Sequence, residues 1–210
     1  LSQKTFDRFN ANWKSLGLPV AAFVTSQQQD TFGPWPVYQG LPTLEADRTL
    51  PIDAQVRHMV ACAVVDDIII GNAYASEEEL RAMAQVKRTN TTIRMTAEEG
   101  LGEAERHAVL DYKHTGRNDA SEYFIRSSFP RLDFRNTPIP LRPCKDKTFV
   151  RGDVLVVNDN LSHYRGEVEI VLTEIENDGQ SNRVGRIADT DLQILDEMEK
   201  RPEHIFEIIL

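Results

Sequence analysis

Two apolar runs, "LPVAAFV" at 18–24 and "DDIIIGN" at 66–72, most constrain how this chain can fold. A half-exposed strand alternates apolar with polar residues, whereas a continuous apolar run suits a strand covered on both faces, as in a parallel sheet. Helical patterns flank both runs. Phe6, Phe9, Trp13 and Leu16 recur at helical spacing, with Gly17 where a helix C-terminus favours glycine. Ile52, Val56, Met59 and Val60 form the stripe of a second helix, opened by Pro51. Ser76 and Glu79 have capping-box spacing at the head of a third. Helix–strand–helix–strand–helix order implies parallel strands. Two parallel strands do not stand alone, and a (β/α)8 barrel needs roughly 200 residues or more. The expectation is therefore that residues 1–90 are the tail of such a barrel, or that another chain completes it.

The periodicity drops towards two after about residue 90. Strands are expected at 122–128, 153–157, 166–172, 183–187 and 204–209. Val168, Ile170 and Leu172 should face one way, Glu167 and Glu169 the other. One helix is expected near 190–199, with Asp189 or Thr190 as cap. Asn158, Asp159 and Asn160 suit the positive φ of a hairpin turn. The prolines of 134–143 make that stretch a connection rather than a central strand. Residues 91–210 thus read as a β-rich domain, a small barrel or sandwich.

Composition narrows the function classes. The 210 residues carry 33 acids against 24 bases, a net charge of −9, which disfavours a nucleic-acid partner. No apolar run is long enough for a membrane helix, and no secretory signal is visible. Cys62 and Cys144 lack metal-site spacing and read as buried thiols. There is no Gly-rich phosphate loop and no G-x-S-x-G elbow.

Three stretches offer chemistry. The long polar loop 25–50 ends in "GLPTLEADRTLP", where Glu45 and Arg48 sit three apart. They read either as a carboxylate and guanidinium for a polar substrate or as a local ion pair; Asp47 reads as a cap. Asn72 follows the second strand directly, where an α/β barrel places site residues, but asparagine also turns chains. "HTGRNDASEYFIRSSFPR" at 114–131 sets Arg117, Arg126 and Arg131 beside Ser127 and Ser128. This reads as an anion cradle, or as a solvated strand face with an Arg117–Asp119 salt bridge. His114 reads as structural. Tyr164 could line a pocket or pack on the sheet.

Taken together, "GLPTLEADR", "VDDIIIGNAYASEEEL", "HTGRNDASEYFIRSSFPR", "RGDVLVVNDNLSHYRGEVEI" and "NRVGRI" resemble the C-terminal part of bacterial MupG-type 6-phospho-N-acetylmuramidases, also known as "outer surface protein" relatives. The resemblance implies the last βα units of a TIM (β/α)8 barrel over 1–90 and a cyclophilin-like β-barrel domain over 91–210, with the first six barrel strands outside this chain. A first residue that is leucine fits that reading. It implies cytoplasmic hydrolysis of the β-1,4 bond between N-acetylmuramic acid 6-phosphate and N-acetylglucosamine in peptidoglycan recycling, with no metal and no organic cofactor. The main catalytic acids would lie on the early strands. Glu45 is then the best remaining catalytic carboxylate, more suited to orienting substrate. Arg48, Asn72, Arg126, Ser127, Arg131 and Tyr164 are the expected substrate-binding residues. The site would lie between the barrel mouth and the β domain. The expected partner is an amino-sugar phosphate substrate, with neither nucleic acid nor membrane, and a homodimer is among the expected assemblies. The alternatives are a non-catalytic sugar-phosphate binding protein on the same scaffold and a purely structural β domain.

Overall fold

A computed structural model describes every residue of the chain except Val37, Ala120 and Pro202. The chain divides into two compact units, Leu1–Thr89 and Asn90–Leu210.

In the first unit, α1 (Gln3–Ser15) starts at Ser2, whose hydroxyl accepts from the Thr5 amide, and ends just before Gly17 at φ +71°. Then come β1 (Ala21–Val24), α2 (Ile52–Cys62), β2 (Asp67–Ile70) and α3 (Glu77–Ala84). The capping box forms as expected: the Ser76 hydroxyl accepts from the Glu79 amide and the Glu79 carboxylate from the Ser76 amide. β1 and β2 pair in parallel, Ala22 opposite Ile68 and Val24 opposite Ile70. Ala22 and Val24 are buried against Phe6, Leu44, Ile52, Val56 and Met59. The expectation of cover on both faces is not met: Phe23 and Ile69, paired on the other face, are 45% and 44% exposed.

Asp47 is not a helix cap. The short 3-10 turn Glu45–Asp47 buries it completely, and its Oδ1 lies 2.7 Å from His58 Nδ1 on α2. The N-cap of α2 is Pro51, with no side-chain cap bond. Burial alone would lower the His58 pKa. The Asp47 hydrogen bond and charge, with Cys62 alongside, outweigh it and hold the imidazolium up at about 10, against an ordinary 6.5.

The second unit contains β3 (Thr91–Ala97), α4 (Glu103–Leu110), β4 (His114–Thr115), β5 (Phe124–Ser127), β6 (Thr148–Phe149), β7 (Asp153–Val157), β8 (Val168–Val171), β9 (Ile175–Glu176), β10 (Ser181–Ile187), α5 (Leu192–Glu199) and β11 (Ile205–Ile209). Seven strands form one sheet in the order β4-β11-β3-β10-β7-β8-β5, all antiparallel except β3 with β11. The edge strands come back together. His114 Nδ1 on β4 lies 3.0 Å from Ser127 Oγ on β5, and its Nε2 2.9 Å from the Val109 carbonyl. Burial lowers the His114 pKa, so the neutral tautomer fits: Nε2–H donates to Val109 and Nδ1 accepts from Ser127. The sheet is thus a nearly closed barrel, with His114 as the structural residue its sequence context suggests.

Cross-strand register defines two faces. Ile125, Ile170 and Val154 form one inward row, and Ser127, Val168 and Val156 the next. The outward row Arg126, Glu169, Leu155 lies between them. Beside it Phe149, Leu155 and Val171 form a small outer cluster beneath the β6–β9 ribbon.

Four local expectations are corrected. Residues 91–97 and 103–110, given no element from the sequence, are β3 and α4. The Asn158–Asn160 stretch has no positive φ; it opens the 3-10 turn Asp159–Tyr164, with the Asn158 side chain accepting from the Asn160 amide. The positive φ there belongs to Gly166 at +81°, where a Cβ would fall 2.8 Å from Phe134 Cβ. α5 is preceded by Asp191, not Asp189 or Thr190, and the Asp191 carboxylate accepts from the Arg94 amide instead of capping. Segment 134–143 remains a connection, as expected, anchored where Asn182 Oδ1 accepts from the Arg142 amide. Cys62 is buried and Cys144 only half-buried. No helix among the described residues is long and apolar enough to cross a membrane.

The Asp47–His58 pair gives a pH-dependent stability. The folded-state pKa of His58 lies above its unfolded value, so the contribution is whole below 6.5 and is lost as pH rises through about 10. Thermal melts should show the wild type losing its advantage over Asp47→Asn across that window; a constant difference would refute the pair.

Candidate functional site

Strand β8 and the residue before it supply the base of a polar cluster in the second unit. With Val168 and Ile170 inward, Glu167 and Glu169 point outward, yet Glu167 is only 1% exposed. A buried carboxylate is costly unless paired and hydrogen-bonded. Glu167 Oε2 accepts from the Ser128 hydroxyl at 2.6 Å, and Ser128 Oγ in turn accepts from Arg117 at 3.5 Å. Arg131 lies 3.6 Å from Glu167, and Arg126 4.0 Å. Arg126 is also 3.8 Å from Asp119, whose carboxylate grips Arg117 through two 2.6 Å bonds. The Arg117 hydrogen bond holds the Asp119 carboxyl below its usual range.

The three arginines are not equivalent. Arg117 is committed to Asp119. Arg126 and Arg131 reach their carboxylates only at ion-pair range, and neither guanidinium makes a hydrogen bond to the described residues. About a quarter of each side chain is exposed. The Arg131 guanidinium stacks 5.0 Å above the Tyr164 ring. Gly166 admits the Phe134 side chain to a place a Cβ would occupy, which seats the 130–134 turn carrying Arg131 against the Tyr164 segment. A cavity of about 250 Å³ opens beside Arg126, lined also by Arg117 and by the acids Asp119, Glu122 and Glu199, while Arg131 lies outside its wall. Its size suits a compact group better than a whole disaccharide. Directly across from Arg126 stands Glu169. Burial, then the neighbouring Glu167 charge, pushes its carboxyl up to about 7, against the opposing pull of Arg126.

Of the residues expected from the sequence, Arg126, Arg131 and Tyr164 are therefore brought together. Ser127 is not: it points into the barrel, fully buried, bonded to His114. Ser128, one residue on, faces the arginines. Glu167 and Glu169 escaped notice because strict alternation marks them as solvent-facing; the clue was two acids on a strand in a chain whose arginines cluster at 117–131.

In the first unit, Arg48 and Glu45 form a bidentate pair at 2.6 and 2.7 Å, and Arg48 also donates to the Gln39 and Gly40 carbonyls. The Arg48 hydrogen bond lowers the Glu45 pKa, so Glu45 is a poor proton donor. This local ion pair closes the base of the loop. Asn72 is buried, and its amide is occupied: Oδ1 accepts from the Ser26 amide, and Nδ2 donates to the Ser26 carbonyl and the Thr31 hydroxyl. Gln55 brackets Thr25 in the same way, and Glu79 accepts from Ser26 Oγ and the Gln27 amide. These side chains, reaching in from α2, the end of β2 and α3, hold the chain where it leaves β1.

Asn72→Ala should accordingly act on stability. It orphans a buried amide and carbonyl of Ser26, a loss of about 2–4 kcal/mol. Denaturant unfolding measures this; an unchanged midpoint would return Asn72 to the list of substrate contacts.

Comparison with known proteins places this geometry in a family. A family model described as 6-phospho-N-acetylmuramidase, N-terminal, matches residues 1–85, and one described as 6-phospho-N-acetylmuramidase, C-terminal, matches residues 91–207. Among solved structures, an uncharacterized B. cereus protein is 35% identical with a TM-score of 0.93, over 100% of this chain and 59% of that one. A conserved Enterococcus faecalis protein of unknown function is 25% identical with a TM-score of 0.64, over 100% of this chain and 54% of that one. The chain thus spans a little over half the length of these relatives. Comparison with curated proteins gave no match. With the two family models matched in chain order, one on each compact unit, the chain belongs to the 6-phospho-N-acetylmuramidase family.

Proposed function

We propose that this chain is part of a glycoside hydrolase that releases N-acetylmuramic acid 6-phosphate from N-acetylglucosamine, and that its second unit binds the anionic end of that substrate. The observation that carries the reading is the state of Arg126 and Arg131: two partly exposed guanidiniums held 3.6–4.0 Å from carboxylates, with donors left over. The substrate bears a phosphate and a lactyl carboxylate, and guanidinium forks match both. Tyr164 would keep Arg131 extended and add a ring edge to the sugar side.

Glycoside hydrolysis normally requires two carboxyl groups flanking the bond, one as acid and the other as base or nucleophile. Glu45, tied to Arg48 with its pKa lowered, is unsuited to the acid role. The reading therefore assigns the catalytic acids to the part of the longer relatives that this chain does not span. In the same reading, β1 and β2 are the closing strands of a TIM barrel, the nearly closed sheet of the second unit is a cyclophilin-like barrel, and the reaction belongs to peptidoglycan recycling in the cytoplasm. A non-catalytic sugar-phosphate binder on the same scaffold is favoured by one observation, the commitment of Glu45 to Arg48. Turnover of the phosphorylated disaccharide by the longer protein separates the two.

In that protein, Arg126→Ala should raise KM for the phosphorylated disaccharide about 10- to 100-fold, the worth of one or two charge-assisted hydrogen bonds, with a smaller effect on kcat. Unchanged kinetics would remove Arg126 from the site.

A further inference from the structure

We propose that Glu167, the carboxylate buried beneath Arg126 and Arg131 and held there by the Ser128 hydroxyl, is a positioning residue that sets the geometry of the anion site. The proposal rests on the reading of Arg126 and Arg131 as anion donors and adds what holds them in place.

Four observations support it. Glu167 has a side chain only 2% exposed, so it is not itself placed to touch a ligand. Among the described residues it is the one group that links all three arginines: Arg131 at 3.6 Å, Arg126 at 4.0 Å, and Arg117 by way of the Ser128 hydroxyl. It sits beside β8, whose inward residues Val168 and Ile170 are locked in the barrel core, so its own position is fixed. And its contacts to Arg126 and Arg131 are long. They orient the guanidiniums without using up their hydrogen-bond donors, which leaves those donors for an incoming anion. Preorganisation of this kind lowers the entropy cost of immobilising two long side chains at the moment of binding.

Positioning and plain electrostatics give opposite signs when the charge is removed. A negative charge near an anion site opposes the anion by Coulomb's law, so deleting it should tighten binding if charge were all that mattered. If Glu167 positions the arginines, deleting it should weaken binding even though the site becomes more positive. Ser128→Ala leaves every charge in place and removes the hydroxyl that holds the Glu167 carboxylate beneath Arg126 and Arg131, along with its link to Arg117. It should be silent on the electrostatic account and harmful on the positioning account.

The experiment is calorimetric titration of the longer protein with N-acetylglucosamine 6-phosphate, for wild type, Arg126→Ala, Glu167→Gln and Ser128→Ala, each first checked for a cooperative melt. Glu167→Gln is expected to raise Kd about tenfold or more, and Ser128→Ala about two- to tenfold, the worth of one hydrogen bond. If Glu167→Gln does not melt cooperatively, the Ser128→Ala result decides alone. Affinity equal to or tighter than wild type in either folded variant overturns the positioning role and leaves the anion reading standing. Absence of saturable binding in the wild type, or wild-type affinity in Arg126→Ala, overturns the anion reading and this proposal with it.

Discussion

Side chains alternate along a strand, and β8 meets that constraint with a different surface on each side. Its inward residues, Val168 and Ile170, fill the barrel beside Val154, Val156 and Ile125. The same geometry forces Glu167 and Glu169 outward, where Ser128, Arg126 and Arg131 surround Glu167, and Arg126 and Ser181 flank Glu169. A carboxylate in that place must have cations and donors around it. The arginines on β5 and in the following turn, the hydroxyl of Ser128 and the glycine that admits Phe134 are all consequences of seating that charge. The site-forming arginines are thus where they are because the barrel core dictates the phase of β8.

The first unit uses polar side chains in another way. Asn72, Gln55 and Glu79 converge on Thr25, Ser26 and Gln27 and satisfy their backbone groups. Glu45 with Arg48, and Asp47 with His58, close the far end of the same loop and fasten it to α2. The charge in "GLPTLEADRTLP" is thus paired within the unit, Glu45 with Arg48 and Asp47 with His58.

Much of the fold was legible because its signals are local. The parallel strands announced themselves as apolar runs, the third helix by Ser76 and Glu79, and β8 by clean alternation. What failed was what depends on distant partners. β3 was hidden because Thr91 and Thr92 are both buried, which erases the alternation that marks a strand. The choice of Ser127 over Ser128 turned on a single residue of register, fixed only when His114 on another strand claimed Ser127. Glu167 and Glu169 look like solvent-facing acids until Arg126, Ser128, Arg131 and Ser181 from other segments are in place. Asn72 has a position equally suited to a site or a clamp, and only the 2.8–3.1 Å contacts to Ser26 and Thr31 decide how its amide is used. Arg126, Arg131 and Tyr164 were found because a basic cluster stands out in an acidic chain.

The most direct test of the central claim, that the arginines of the second unit receive the substrate's anion, is a crystal structure of the chain with N-acetylmuramic acid 6-phosphate bound. The account requires an anionic oxygen of the ligand within about 3 Å of guanidinium nitrogens of both Arg126 and Arg131, the ordinary range of a charge-assisted hydrogen bond. A ligand ordered elsewhere, with both guanidiniums still facing only Glu167 and Asp119, would contradict it.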